Sequence, residues 1–330
     1  MADPALVQAA EVGDLGTARA LVEGGANVNE GRGDGRTALM FASSLGHLEI
    51  VRLLLAASVT VDQSDNNGWT SLIISSQNGH QVVVKLLLDS GATVDKANNK
   101  GNTPLIMSSQ DGHQVVVKLL LGRGATVNRA NNNGTTSLIQ SSQNGHQVVV
   151  KLLLDSGATV DHADNKGWTS LISASLDGHY DIVKLLLKSG ATVNQAANNG
   201  STALMGTSFS GHYDIAKLLL KVGRRRGPRR QRRAHRPLPR VYEGHTTVAS
   251  FLRHWSLTIP RRLATYACIL RAIDIEEGRV TQEEPVKELL QRLARTPDDI
   301  VRVIVLFVGD GGDAEEELRL EKLARGEGAD

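Results

Sequence analysis

Apolar residues along this chain fall into paired short runs that return at a fixed interval. In Gly68–Lys100, GWTSLIISSQNGHQVVVKLLLDSGATVDKANNK, a first run (Leu72–Ile74) leads through small and polar residues to a Gly-His step. A denser run, Val82–Leu88, follows it. Near-copies start at Gly101, Gly134 and Gly167, each displaced by 33 residues. The Gly-His pair keeps the register at Gly46-His47, Gly79-His80, Gly112-His113, Gly145-His146, Gly178-His179, Gly211-His212 and Gly244-His245, and Gly13-Asp14 extends it one step earlier. Self-similarity at a period of this size predicts stacked supersecondary units, each burying its apolar face against the next.

Each unit reads as turn, helix, turn, helix and extended link. Asn66-Asn67-Gly68, Asn99-Lys100-Gly101, Asn132-Asn133-Gly134, Asn165-Lys166-Gly167 and Asn198-Asn199-Gly200 are tight-turn signals, since Asn and Gly tolerate positive φ. Two positions beyond each glycine stands Thr70, Thr103, Thr136, Thr169 or Thr202, placed to accept a hydrogen bond from an orphan N–H of the following helix. Leu72 and its equivalents face inward, Ser75 and Ser76 permit close packing, and Gly79 ends the first helix. The second helix, Gln81–Ser90, is apolar nearly all round, which predicts cover on several sides with Lys85 left to solvent. Gly91 closes it, and Ala92–Asp95 leads to the next turn.

The pattern G-x-T-x-L-x-x-x-x-x-x-G-H-x-x-V-V-x-L-L-L-x-x-G-A-x-V resembles the ankyrin repeat and runs from about Gly35 to Gly223. A more polar first copy covers Ala5–Asn29. The family's T-P-L-H tetrapeptide stands here as TALM (Thr37–Met40), TSLI (Thr70–Ile73), TPLI (Thr103–Ile106), two further TSLI, and TALM (Thr202–Met205), always without its histidine. The resemblance implies an all-α repeat solenoid, a helix-turn-helix stack with β-hairpin fingers, followed by a small helical tail. It also implies a groove, lined by finger residues and first-helix ends, that binds a partner protein. Carried onto this chain, the finger positions are Arg36, Trp69, Asn102, Thr135, Trp168 and Ser201, flanked by Asn66 and Asn67. The first-helix ends are Leu45, Gln77-Asn78, Gln110-Asp111, Gln143-Asn144, Leu176-Asp177 and Phe209-Ser210. Only two of these fingers carry tryptophan, so the fold does not demand one there. Trp69 and Trp168 stand three repeats apart, about 27–30 Å at ordinary helix spacing, as candidate anchors.

The resulting organisation is a repeat domain at 1–222, an atypical eighth repeat at 223–256, and a helical tail at 257–330 that resembles no family. Thr281 and Thr296 are candidate N-caps in that tail. Arg224–Arg240 keeps the repeat's length but not its residues. It reads as a solvated arginine-rich loop, as a nuclear-import or phosphate-binding patch, or as a stretch translated out of frame.

Composition adds little to this reading. Aromatics make up only 3%, so the core must be built from Leu, Val, Ile and Ala in thin layers. The net charge of +2 becomes −7 once the nine arginines of Arg224–Arg240 are set aside, so any nucleic-acid argument rests on that run alone. The single Cys268 excludes an intramolecular disulfide. The first residues lack the charged and apolar regions of a secretory signal, and Ile300–Val308 is too short to span a bilayer. The repeated histidines lie one helix spacing apart, about 8–10 Å, whereas a zinc site needs nitrogens at about 2.0–2.1 Å from one centre. Val305–Asp313, VLFVGDGGD, lacks the Lys-Ser/Thr of a phosphate loop and carries two repelling acids. No catalytic arrangement, metal or cofactor is expected. The expectation is a soluble cytoplasmic adaptor, acting as a monomer and binding a protein rather than a membrane. A nuclear or nucleic-acid-associated adaptor working through Arg224–Arg240 is one alternative, and a regulatory or enzymatic tail with a target recruited by the repeats is another.

Overall fold

The computed structural model describes residues 4–225. The arginine run beyond Arg225, the eighth copy at Gly244, the tail with Cys268 and the Val305–Asp313 loop lie outside them. The helices are α1 (Ala5–Val12), α2 (Leu15–Glu23), α3 (Ala38–Leu45), α4 (Leu48–Ala56), α5 (Ser71–Gln77), α6 (Gln81–Asp89) and α7 (Pro104–Gln110). They continue with α8 (Gln114–Gly122), α9 (Ser137–Gln143), α10 (Gln147–Asp155), α11 (Ser170–Leu176), α12 (Tyr180–Lys188), α13 (Ala203–Ser210) and α14 (Tyr213–Arg225). Between pairs stand finger turns closed by isolated bridges such as Ser64↔Thr70 and Ala130↔Thr136. The architecture is an all-α repeat solenoid.

The described residues divide into two compact units, residues 4–170 with 188–191 and residues 171–187 with 192–225. In the first, the leading helices of successive repeats, α1, α3, α5, α7 and α9, pack in series, and so do the second helices α2, α4, α6, α8 and α10. Leu39, Leu72, Leu105 and Leu138 are buried on the leading helices, as are Leu54, Leu87, Leu120 and Leu153 on the second. Met40, Ile73, Ile106 and Ile139, which replace the family's histidine, are buried too, so no polar group needs satisfying there. In the second unit Leu204, Tyr213 and Leu220 pack around Ala216.

Helix starts follow the threonine pattern. The hydroxyls of Thr37, Thr70, Thr103, Thr136 and Thr202 accept from the N–H three residues on, at 3.3–3.4 Å. Asp14 caps α2, accepting from the backbone and hydroxyl of Thr17, which hold its carboxyl below the ordinary aspartate range. The second helices are covered on several sides with Lys85 left to solvent, but the exposed strip is wider than expected. Val83, Val84 and Leu87 are buried, but Val82 is 46% exposed, and its equivalents Val115 and Val148 are 53% and 55% exposed. Each inner second helix packs against its two neighbours in the row and its own leading helix, as α6 does against α4, α8 and α5, which leaves its outer side open.

One turn violates the pattern. Ser58, at φ 55°, is the described non-glycine residue with a positive φ, and it occupies the position of Gly91 and Gly124 in other repeats. An L-residue in this region costs about 1–2 kcal/mol. Ser58→Gly should therefore raise stability by about 1 kcal/mol, read as a shift of the urea midpoint at unchanged slope.

Candidate protein-binding face

The finger turns are built by one side chain each. Asp65 Oδ1 accepts from the N–H of Asn67 at 2.9 Å and of Trp69 at 2.8 Å. Asn98, Asn131 and Asp164 do the same in their fingers at 2.8–3.0 Å, ending on Asn102, Thr135 and Trp168. This clamp fixes the backbone at the residue that presents the variable side chain.

Adjacent fingers are tied together by asparagine. The backbone N–H of Asn66 donates to Asp34 O at 3.0 Å, and the pattern recurs from Asn99 to Asn67 O and from Asn132 to Lys100 O. Their side-chain amides donate as well: Asn66 to Gly33 O at 3.2 Å, Asn99 to Asn66 O at 3.1 Å, Asn132 to Asn99 O at 2.9 Å and Asn165 to Asn132 O at 2.9 Å. A second ladder crosses the links. Asp62 accepts from the N–H and hydroxyl of Thr93, and Asp95 from those of Thr126.

The Gly-His register is a third tie. The ring of His80 lies over Gly46, where an added Cβ would stand 2.8 Å from Nδ1, and its Nε2 donates to Ser44 O at 2.9 Å. His146 reaches Gln110 O at 2.8 Å and His212 reaches Leu176 O at 3.1 Å in the same way. Gly13, Gly46, Gly79, Gly112 and Gly178 thus each make room for the histidine of the following repeat. Among the described residues no three metal-ligating side chains converge.

These ties change the standing of several expected partner-binding residues. Asn66 spends its amide on Gly33 O. Asn78 donates to Ser44 O at 2.8 Å and Asn144 to Gln110 O at 2.7 Å. Asn102 Oδ1 accepts from Asn131 at 2.8 Å, and Gln110 donates to Asp111 at 3.3 Å. One hydrogen-bonding group of each of these side chains is therefore engaged within the protein, where the sequence suggested groups free for a partner. The recurrence of Asn66, Asn99, Asn132 and Asn165, beside a position that alternates between asparagine and lysine, is the signal in the sequence for the ladder between fingers.

The remaining finger side chains are placed differently. Trp69 and Trp168 are half-buried, and the indole N–H of neither finds an acceptor within the protein. Arg36 lies over the Phe41 ring at 4.4 Å with no carboxylate partner, while Arg32, also 4.4 Å from that ring, pairs with Glu11. Thr135 is half-buried and Asn67 exposed in the same unit. Gln77 is half-buried, and Asp111 and Gln143 are exposed at helix ends. In the second unit, Ser201, Leu176 and Phe209 are half-buried and Asp177 is exposed. Val12 was missed from sequence: it is 70% exposed at the end of α1, in register with Leu45 at 50%. The register that extends to Gly13-Asp14 already places Val12 at this position, although the mapped first-helix ends begin at Leu45.

The described helices include none long and apolar enough to cross a membrane. No curated protein matches the chain. The family model for ankyrin repeats matches three times in succession, over residues 6–98, 90–164 and 156–227. Ankyrin repeats are in general protein–protein interaction modules. This chain belongs to the ankyrin-repeat family.

Proposed function

We propose that the protein is a non-catalytic adaptor that recognises a partner protein through the face formed by its finger residues and first-helix ends. The observation that carries this reading is the pair of half-buried tryptophans, Trp69 and Trp168, each with an indole N–H lacking an internal acceptor. Neither indole N–H is buried from solvent, so both are open to an acceptor from a partner, and tryptophans of this kind are common anchors of interfaces. Arg36, stacked on Phe41 and unpaired, adds a third anchor suited to an acidic group. Aspartate and asparagine clamps hold these side chains before the partner arrives, which lowers the ordering cost of binding.

Affinity capture with the full chain, compared with Trp69→Ala/Trp168→Ala, tests this. The captured protein should be depleted at least about tenfold by the double substitution, since each anchor is worth about 2 kcal/mol. An unchanged set of captured proteins would remove both tryptophans from the interface.

A further inference from the structure

We propose a second docking face, on α6, α8 and α10, that receives an acidic amphipathic helix of a partner protein. It lies on helices that carry none of the finger residues and so goes beyond the reading above. The three exposed valines Val82, Val115 and Val148 sit at one register position on three consecutively packed helices. Packing does not require valine there. The equivalent residues of α4, α12 and α14 are Glu49, Asp181 and Asp214, and all three are exposed.

One turn further along each helix stand Lys85, Lys118 and Lys151, exposed and without an ion pair. Residues three apart share a helix face, so a row of valines runs beside a row of ammonium groups. Neighbouring carboxylates do not cancel that row. Glu49 pairs with Arg52 at 3.6 Å and Asp89 with Arg123 at 2.5 Å, which leaves Asp155 as the unpaired acid of these helices. The surface is therefore apolar along one line and cationic along the next, and its complement is apolar along one line and acidic along the next.

The spacing selects a helix. Packed helices stand about 8–10 Å apart, so successive valines are separated by about that distance. A partner helix rising about 1.5 Å per residue reaches successive valines every five to seven residues, a range that takes in the heptad of an amphipathic helix. A strand would advance the same distance in about three residues and turn alternate contacts away. A single file of valines without an aromatic is also a poor match to a bilayer surface, where rings anchor at the headgroups.

The probe is a synthetic helical peptide of about 21 residues, with leucine at the heptad a and d positions and glutamate along one flank. It is titrated against the full chain. A twin carries lysine for glutamate, and vesicles of about 30% phosphatidylserine in phosphatidylcholine serve as the membrane arm. The acidic peptide should bind. Its affinity should fall at least about tenfold in Val82→Glu/Val115→Asp/Val148→Asp, in Lys85→Glu/Lys118→Glu/Lys151→Glu, and in the lysine twin. The valine variant should keep its circular dichroism melt, because the same fold already carries acids at that position. Trp69→Ala/Trp168→Ala should leave peptide binding unchanged. Absence of peptide binding, equal binding by the lysine twin or the valine variant, loss with the tryptophans, or binding to vesicles alone would each overturn the proposal.

Discussion

Gly68→Ala is expected to destabilise the protein by about 3 kcal/mol, and Gly91→Ala by about 1 kcal/mol. Both glycines have positive φ, 80° and 91°, so the backbone strain of adding a Cβ is nearly the same. Their surroundings differ. A Cβ at Gly91 meets nothing within 4 Å, whereas one at Gly68 would stand 2.5 Å from Asn99 Oδ1 and 2.7 Å from the Asn99 backbone nitrogen. A backbone atom cannot swing aside as a side chain can. To relieve the clash the finger of the following repeat must move, which breaks the bond from Asn99 N to Asn67 O at 3.0 Å. The difference between the two substitutions, measured by urea denaturation, isolates the contact between fingers from the strain within one. Equal losses would mean that the fingers do not support each other.

Replacing Ser76, Ser109 and Ser142 together with alanine should stabilise the protein by about 1 kcal/mol per position. The three hydroxyls are fully buried on α5, α7 and α9, and none has a hydrogen-bond partner. Each loses its water on folding without compensation, and alanine fills nearly the same space with a better helix former. The preceding serines supply the control. Ser75 and Ser108 donate to the carbonyls three residues back at 3.3 Å, and Ser141 reaches Ser137 O at 2.9 Å. Substituting Ser75, Ser108 and Ser141 removes bonds that are made, so that triple should not raise stability and should lower it relative to the first. A thermal melt of the two triples separates the cases.

The fold was legible because its information is periodic. Threonine caps, the Gly-His step and the Leu72 series recur at fixed offsets, and each specifies a local geometry that the structure contains. The candidate site was less legible, because its chemistry depends on bonds between residues 33–36 apart. One signal was in the string: Asn66, Asn99, Asn132 and Asn165, whose amides bond along the stack, recur in successive turns, whereas the next position alternates between asparagine and lysine. Burial around the second helices was misjudged for a related reason. Val82, Val83 and Val84 read alike, but the helix turns Val83 and Val84 towards the stack and leaves Val82 outside. Periodicity gave the register, and only the three-dimensional neighbours gave the roles.

On the proposed function, the register positions are spent on stacking and the tryptophan fingers on a partner. The most direct measurement is the affinity of the captured partner, read beside the denaturation midpoint, for Trp69→Ala/Trp168→Ala and for the Ser76/Ser109/Ser142 alanine triple. The tryptophan pair should weaken binding at least about tenfold and move the midpoint little, while the serine triple should raise the midpoint and leave affinity unchanged. A tryptophan pair that lowers the midpoint while affinity stays constant would overturn the proposed function, because the rings would then belong to the stack and not to the partner.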